Sequence, residues 1–201
     1  MTMKLWQRPT IVFMAAGALM YGAVLAQDKP APAKPVAPKP AAKPAPKPKS
    51  EPTESAVLLG QFGDWVAYTA SPGGKKICFA LAKPASAVTD PAGRKRDPSY
   101  AFVSTRPAEK VKNEVSVIVG YPQKSGVDAS ATIGTATFVL YTQNDGAWVK
   151  NAAEEAQMIE AMRKGSELVI KSISSHGTKT TDTYSLKGIA EALDKVAEEC
   201  K

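Results

Sequence analysis

Proline is concentrated in one stretch of the chain, and this limits which part can fold. Residues 27–55 hold nine of the 16 prolines of the 201-residue chain, interleaved with alanine and six lysines. Proline lacks a backbone donor and the stretch offers almost nothing to bury, so it cannot pack into a core. We expect an extended spacer there, whose lysines either contact an anionic layer of the cell envelope or remain solvated. A folded domain is expected in residues 56–201 alone.

The net charge of +7 is unevenly distributed along the chain. Residues 1–26 contribute +2 and residues 27–55 contribute +3. Residues 56–201 contain 18 Lys and Arg against 16 Asp and Glu, and so contribute only +2. A domain this close to neutral does not favour nucleic-acid binding, and we expect no nucleic-acid partner.

The first 26 residues have the pattern of a secretory signal peptide. Lys4 and Arg8 precede an uncharged, largely apolar stretch of 16 residues from Thr10 to Leu25, and Val24–Ala26 resembles a cleavage site. The stretch is shorter than the roughly 20 residues that span a bilayer. We therefore predict cleavage, with an uncleaved anchor as the alternative. The expected location is the periplasm, and outer-membrane association and secretion are further destinations.

The chain has two cysteines, Cys78 and Cys200. In an oxidising compartment we expect them to form a disulfide. A thiol redox site is disfavoured because there is no Cys-x-x-Cys motif. The bridge would tie an early strand to the last turn of the chain.

Most of the domain has the pattern of short β-strands. Seven segments are rich in β-branched or aromatic residues and lie between glycine and proline turn signals. They are residues 64–69, 77–82, 100–105, 114–119, 136–141, 167–171 and 180–184. Asn144–Gly146 is typical of a tight hairpin turn. The spacing predicts an antiparallel β-sandwich or a partly closed barrel.

Two helices interrupt the strand pattern. Asn151 with Glu154 forms a capping-box-like start, and Gly165 is the stop. In the first helix, Ala152, Ala156, Ile159 and Met162 lie on one face. The second helix is predicted from about Leu186 to Glu199, with an apolar stripe at helical spacing that carries Cys200 towards Cys78. The predicted fold is mainly β, with a C-terminal helix tethered by the disulfide.

The sequence contains no catalytic constellation that we can identify. His176 is the only histidine, and it lies in a turn-like stretch without an identifiable carboxylate or cysteine partner, so a loop residue is favoured over a general base. Motifs for a serine nucleophile or a phosphate-binding loop are absent, and the acids do not cluster as metal ligands. We expect a non-enzymatic protein with no catalytic residue, metal or cofactor.

Two groups of polar residues are candidates for a contact surface. Arg94, Lys95 and Arg96 form a dense basic cluster at a predicted loop tip, suited to phosphate, sulfated glycan or an acidic protein surface. A second group, Thr181, Asp182 and Tyr184, would form a hydroxyl-rich surface on a strand. The alternatives are a solvated loop and an ordinary strand with one face in water.

Several motifs of the domain resemble a known family. The motifs are Phe62–Trp65 followed by Cys78, Val103–Ala108, Asn113–Val117, Gly120–Pro122, Asp145–Trp148, Gly177–Gly188 and the terminal Cys200. Together they resemble the invasion-associated locus B family of alphaproteobacterial envelope proteins over residues 60–201. The signal-like segment and the proline-rich stretch lie outside the resemblance.

The resemblance implies an exported, non-enzymatic envelope or surface protein, and it carries over no catalytic residues. In some pathogens the family is associated with entry into host cells, and a general envelope role with invasion as a specialised use is the broader expectation. We expect contact with an unknown protein or glycan partner in the envelope or on a host cell. The alternative is a periplasmic structural or chaperone-like component, tethered to the cell wall by the Lys-Pro spacer.

Overall fold

The strands of the domain form one continuous antiparallel sheet. The computed structural model describes residues 56–201, so the predicted signal peptide (1–26) and spacer (27–55) lie outside the described residues. Within residues 56–201 there are eleven strands and two α-helices. In chain order the elements are β1 (Val57–Phe62), β2 (Trp65–Ala70), β3 (Ile77–Ala82), β4 (Ser86–Asp90), β5 (Tyr100–Arg106), β6 (Val111–Ile118), β7 (Ala129–Ile133), β8 (Ala136–Gln143), β9 (Gly146–Val149), α1 (Ala152–Lys164), β10 (Glu167–Ile173), β11 (Lys179–Ser185) and α2 (Ile189–Glu199).

The sheet curls towards a barrel without closing. The strand order is β1-β2-β3-β5-β6-β9-β8-β7-β10-β11-β4, which leaves β1 and β4 as the edges. At one rim the two ends of the sheet meet, because Asp64 N donates to Lys187 O (3.0 Å) and Trp65 Nε1 donates to Ser185 O (2.9 Å). Among the described residues no ladder joins β1 to β4. The prediction of a mainly β, antiparallel fold with two helices is confirmed.

Small side chains line the inner face of the sheet where α2 packs. Ala67, Ala80 and Ala101, on β2, β3 and β5, are fully buried, and α2 lies against these strands and β1. Alanine leaves room for a helix to approach the backbone of a sheet closely. Larger residues such as Trp65 and Leu140 fill the interior elsewhere.

Helix α1 begins and ends where the sequence predicts. Asn151 Oδ1 accepts hydrogen bonds from the backbone N–H groups of Ala153 (3.1 Å) and Glu154 (3.0 Å), which satisfies donors that the first turn leaves free. The face that the sequence marks as apolar is only partly buried. Ile159 and Met162 are buried, and Met158 is buried with them. Ala152 and Ala156 are exposed, because their side of the helix lines an open groove.

Helix α2 begins at Ile189, three residues later than predicted. Gly188 precedes it with φ of 89°, in the left-handed region that favours glycine. A Cβ at this position would lie 2.0 Å from Phe62 O, so the chain approaches the β1–β2 turn too closely for another residue. Ile189, Leu193 and Val196 are buried as the stripe predicts. Neither described helix is long and apolar enough to cross a membrane.

Candidate functional site

The basic loop lies between β4 and β5, at residues 91–98, and is held against the sheet near both ends. Arg94 N donates to Thr89 Oγ1 (3.2 Å), and Asp97 N donates to Gly120 O (3.0 Å). Gly120 has φ of 76°, and a Cβ there would lie 2.0 Å from Asp97 O. Only glycine permits this approach without a backbone shift.

Arg96 differs from the other two cations of the loop because its charge is already paired. Its guanidinium forms a two-pronged ion pair with Asp182 on β11, in which Nη1 donates to Oδ2 (2.7 Å) and Nη2 donates to Oδ1. Nη1 also donates to Val119 O (2.9 Å). The side chain of Arg96 is 10% exposed and that of Asp182 is 1% exposed. The hydrogen bond from Arg96 to Asp182 is the main cause that raises the pKa of Arg96 above its ordinary value. Arg96 therefore fastens the loop to the sheet.

The sequence expectation of a polar surface at Asp182 and Tyr184 is wrong, because both side chains point into the interior. Both are fully buried, since alternate residues of β11 face the inside of the curled sheet. Tyr184 OH donates to Ser99 Oγ (3.3 Å), and burial raises the pKa of Tyr184 above its usual range. Thr181 lies on the other face, where it pairs in register with Val88 of the edge strand β4.

Arg94 and Lys95 remain accessible and line a small cleft, which we call the basic cleft. It has a volume of about 250 Å³. Arg96 and Tyr121 also line it, and the turn between β10 and β11 supplies His176. The turn position of His176 agrees with the sequence prediction. No carboxylate lines the basic cleft, so its walls offer cations and hydroxyl groups but no acid to activate the histidine.

Among residues 56–201, no group of three His, Cys, Asp or Glu side chains is arranged to hold a metal ion. Cys78 and Cys200 form the predicted disulfide, with their Cα atoms 5.9 Å apart. Next to the bridge, Lys76 Nζ lies 2.7 Å from Glu199 Oε1. The cysteines are structural, and they join β3 to the end of α2.

Sequence reasoning missed a second feature, an outward-facing band of aromatic side chains that we call the aromatic face. Its members lie on β2, β3, β5, β8 and β9 and are partly or well exposed: Tyr68, Phe79, Tyr100, Phe102, Tyr141 and Trp148. Ring centroids lie 5.5 Å apart for Tyr68 and Phe79, and 6.2 Å apart for Phe79 and Phe102. Tyr141 and Trp148 form a second pair at 5.6 Å.

Strand register connects the two parts of the aromatic face. Phe102 is paired with Ser116 on β6, and Ser116 is paired with Trp148 on β9. The two ring clusters are therefore separated by one strand, β6, which places the small side chain of Ser116 between them. The sequence signal was the alternation of small and aromatic residues, as in Tyr100-Ala101-Phe102, where the small residue is the buried one.

The family model for the invasion associated locus B (IalB) protein matches residues 65–197. The chain belongs to this family. The match runs from the first residue of β2 into α2, so it includes both the basic cleft and the aromatic face of this family member. It confirms the resemblance inferred from the sequence motifs. No curated protein and no solved structure matches the chain.

Proposed function

We propose that this member of the invasion associated locus B family is an exported, non-enzymatic envelope or surface protein that binds a partner protein through its aromatic face. The aromatic face is the observation that carries the proposal. Aromatic side chains are enriched at protein interfaces, where they contribute a large contact area with little loss of conformational freedom. Here the strands bury alanines and leave the larger rings partly exposed, which is the reverse of what core packing alone favours.

A protein partner fits the shape of this surface better than a sugar chain. At the two ends of the aromatic face the ring pairs are stacked, at 22° for Tyr68 and Phe79 and 24° for Tyr141 and Trp148. In the middle, Phe102 is inclined at 53° to Phe79 and at 48° to Tyr100. Inclined rings form an uneven apolar surface that complementary side chains fill, whereas sugar rings stack on flat platforms. Ser104 is paired with Phe79, and Ser116 lies between Phe102 and Trp148, so both serines offer hydrogen bonds to a partner beside the rings.

Two observations support the exported, non-enzymatic part of the proposal. The Cys78–Cys200 disulfide is of the kind that persists in oxidising compartments outside the cytoplasm. His176, the single histidine, lines a cleft without a carboxylate partner. Cell fractionation combined with protease treatment of intact cells tests the location. Recovery of the protein in the cytoplasm with free thiols would contradict export.

The contact itself is tested by photo-crosslinking in living cells. A photoreactive residue at Tyr141 is expected to yield a protein adduct, and one at Lys75, which is exposed and outside the aromatic face, is expected to yield none. The double variant Phe102→Ser, Tyr141→Ser should abolish the adduct at a third position, Trp148. The control variant Val57→Ser, Val88→Ser, with exposed residues on the two edge strands, should leave it unchanged.

The result depends on the variants being folded, so their thermal unfolding is measured alongside. An adduct whose added mass is removed by periodate, and which contains no peptide of a second protein by mass spectrometry, would identify a glycan instead and contradict the protein partner. Equal loss in both double variants would show that the aromatic face has no special role.

A further inference from the structure

We propose that the basic cleft is a binding site for a tetrahedral oxyanion, the phosphate or sulfate group of a larger envelope or host molecule. The basic cleft is built by the 91–98 loop, β4, β11 and the β10–β11 turn, whereas the aromatic face lies on other strands. The inference therefore does not depend on the function proposed above.

The charge of the basic cleft is positive and uncompensated. Arg96 is neutralised by Asp182, but Arg94 and Lys95 take part in no salt bridge among residues 56–201. The residues that line the cleft include no Asp or Glu. Two adjacent cations without a counter-charge in a concave site attract and concentrate anions.

Hydroxyl groups on the cleft walls are prepared to donate hydrogen bonds. Thr89 Oγ1 accepts from Arg94 N (3.2 Å), and Ser174 Oγ accepts from Thr178 N (3.1 Å). A hydroxyl has one hydrogen to donate and lone pairs that accept. Each of these hydroxyl groups accepts one backbone bond and still has its hydrogen to donate to a ligand that accepts. An anion is such a ligand.

The size and rigidity of the basic cleft suit a single anionic group. Its volume of about 250 Å³ is below the roughly 300–1,000 Å³ of sites that enclose a drug-sized molecule. The loop is fixed by the Arg96–Asp182 ion pair and by the close contact of Asp97 with Gly120. A site that is already in place loses less conformational entropy when the ligand binds.

The arrangement of donors favours a tetrahedral group over a carboxylate. Arg94 and Lys95 come from the loop, Thr89 from β4, and Ser174 and Thr178 from the β10–β11 turn. A carboxylate presents two oxygens in one plane. Phosphate and sulfate esters present three terminal oxygens in different directions, which donors on several walls can reach together.

The test is an NMR titration of the full-length, isotope-labelled protein with inorganic phosphate, inorganic sulfate and acetate, at an ionic strength held constant with chloride. We expect saturable shifts of the amides of Arg94, Lys95 and Thr178 with phosphate or sulfate, and at least tenfold weaker binding of acetate. The variant Arg94→Ala, Lys95→Ala should lose at least tenfold in affinity. The control variant Lys75→Ala, Lys112→Ala removes the same charge from exposed positions outside the cleft and should retain it.

Two polymeric probes distinguish the sources of the anion. Heparin fragments carry sulfate, and lipopolysaccharide can be compared with and without its phosphates. Tighter binding of heparin than of lipopolysaccharide would support the proposal and identify sulfate as the source. Tighter binding of lipopolysaccharide with its phosphates than without them would support it and identify phosphate. Linear shifts of equal size with all three salts, or equal loss in both double variants, would overturn it. The variant Phe102→Ser, Tyr141→Ser should bind the oxyanions normally, so failure of this proposal and failure of the proposed protein contact are separate results.

Discussion

At the scale of single residues, the ion pair of Arg96 and Asp182 explains most about the candidate site. The two residues are 86 positions apart in sequence, and the pair fastens the basic loop onto β11. Removal of two charges from water is costly, and the attraction between them offsets this cost only when the geometry is good and the remaining polar atoms are satisfied. Here the pairing is two-pronged and Arg96 also bonds Val119 O.

We predict that Asp182→Asn lowers the free energy of unfolding by about 3 kcal/mol, because it leaves the mostly buried Arg96 without a counter-charge. Urea unfolding at neutral pH measures the change. The control is Glu109→Gln. Glu109 Oε2 lies 2.7 Å from Arg106 Nε, and the glutamate side chain is 46% exposed, so this variant removes one charge of an exposed pair. An exposed pair contributes less than about 1 kcal/mol. Equal losses in the two variants would contradict a special role for the buried pair.

The residue scale also shows how far the sequence predicts the candidate site. The basic cluster at 94–96 was recognised from composition, and its position in a loop agrees with the structure. Local sequence does not show that, within residues 56–201, Arg96 is paired while Arg94 and Lys95 are not, because the carboxylate that neutralises Arg96 comes from a distant strand. Asp182 was grouped with its neighbouring hydroxyls for the same reason, and only tertiary structure shows that its side chain faces inward.

At the scale of elements, signals that act over a few residues were the most predictive. All seven predicted strands are present, and the first helix follows its capping signals. Strands β1, β4 and β7 were missed, and β9 was implied only by the predicted hairpin turn that precedes it. Edge strand β4, Ser86–Asp90, is mostly exposed and does not alternate between buried and exposed residues. Strand β7, Ala129–Ile133, has alanine at two of its three inward-facing positions, so it lacks the large apolar residues that mark a strand. Their pairing with neighbours, and not their own composition, makes them strands.

Helix α1 provides a test of local stabilisation. We predict that Asn151→Ala lowers the free energy of unfolding by about 1 kcal/mol, because two backbone N–H groups lose the acceptor at the helix start. Asn151→Ser, which restores a capping oxygen, is expected to recover most of the loss. Thermal or urea unfolding of the three proteins gives the comparison. A serine variant as unstable as the alanine variant would mean that the side-chain cap is not the cause.

A second test on α1 concerns pH. Burial raises the pKa of Glu155, against the opposing effect of the hydrogen bond that its Oε1 accepts from Val115 N (2.6 Å). The folded protein thus holds this proton more tightly than the unfolded chain, and the associated stability is lost as pH rises through the raised pKa. Glu155→Gln keeps an acceptor and does not ionise. The variant should gain stability relative to the native protein between pH 4 and pH 7 in urea unfolding, and a constant difference would contradict this expectation.

At the scale of the whole molecule, α2 and the disulfide determine which face of the sheet is buried. The helix covers the alanine-lined inner face, so the aromatic side chains of β2, β3 and β5 lie on the outside. Sequence spacing predicted the helix and its apolar stripe, the single pair of cysteines predicted its tether, and the structure confirms all three. The partial exposure of the rings was not recognised, because it depends on which face of the sheet α2 covers, and that is a property of the packed fold.

The disulfide is therefore expected to stabilise the whole domain more than any single contact. Its cysteines are 122 residues apart, and on the chain-entropy model closure of so long a loop contributes up to about 5 kcal/mol by restricting the unfolded chain. We predict that Cys78→Ala, Cys200→Ala lowers the free energy of unfolding by several kcal/mol. Reductant should destabilise the native protein by a similar amount and leave the variant unchanged, as measured by urea unfolding with and without dithiothreitol.

If α2 detaches when the bridge is absent, the buried alanine face becomes accessible, and hydrogen exchange of the amides of Ala80 and Ala101 should accelerate together. Unchanged exchange at these two amides would show that packing of α2, and not the bridge, keeps the inner face covered.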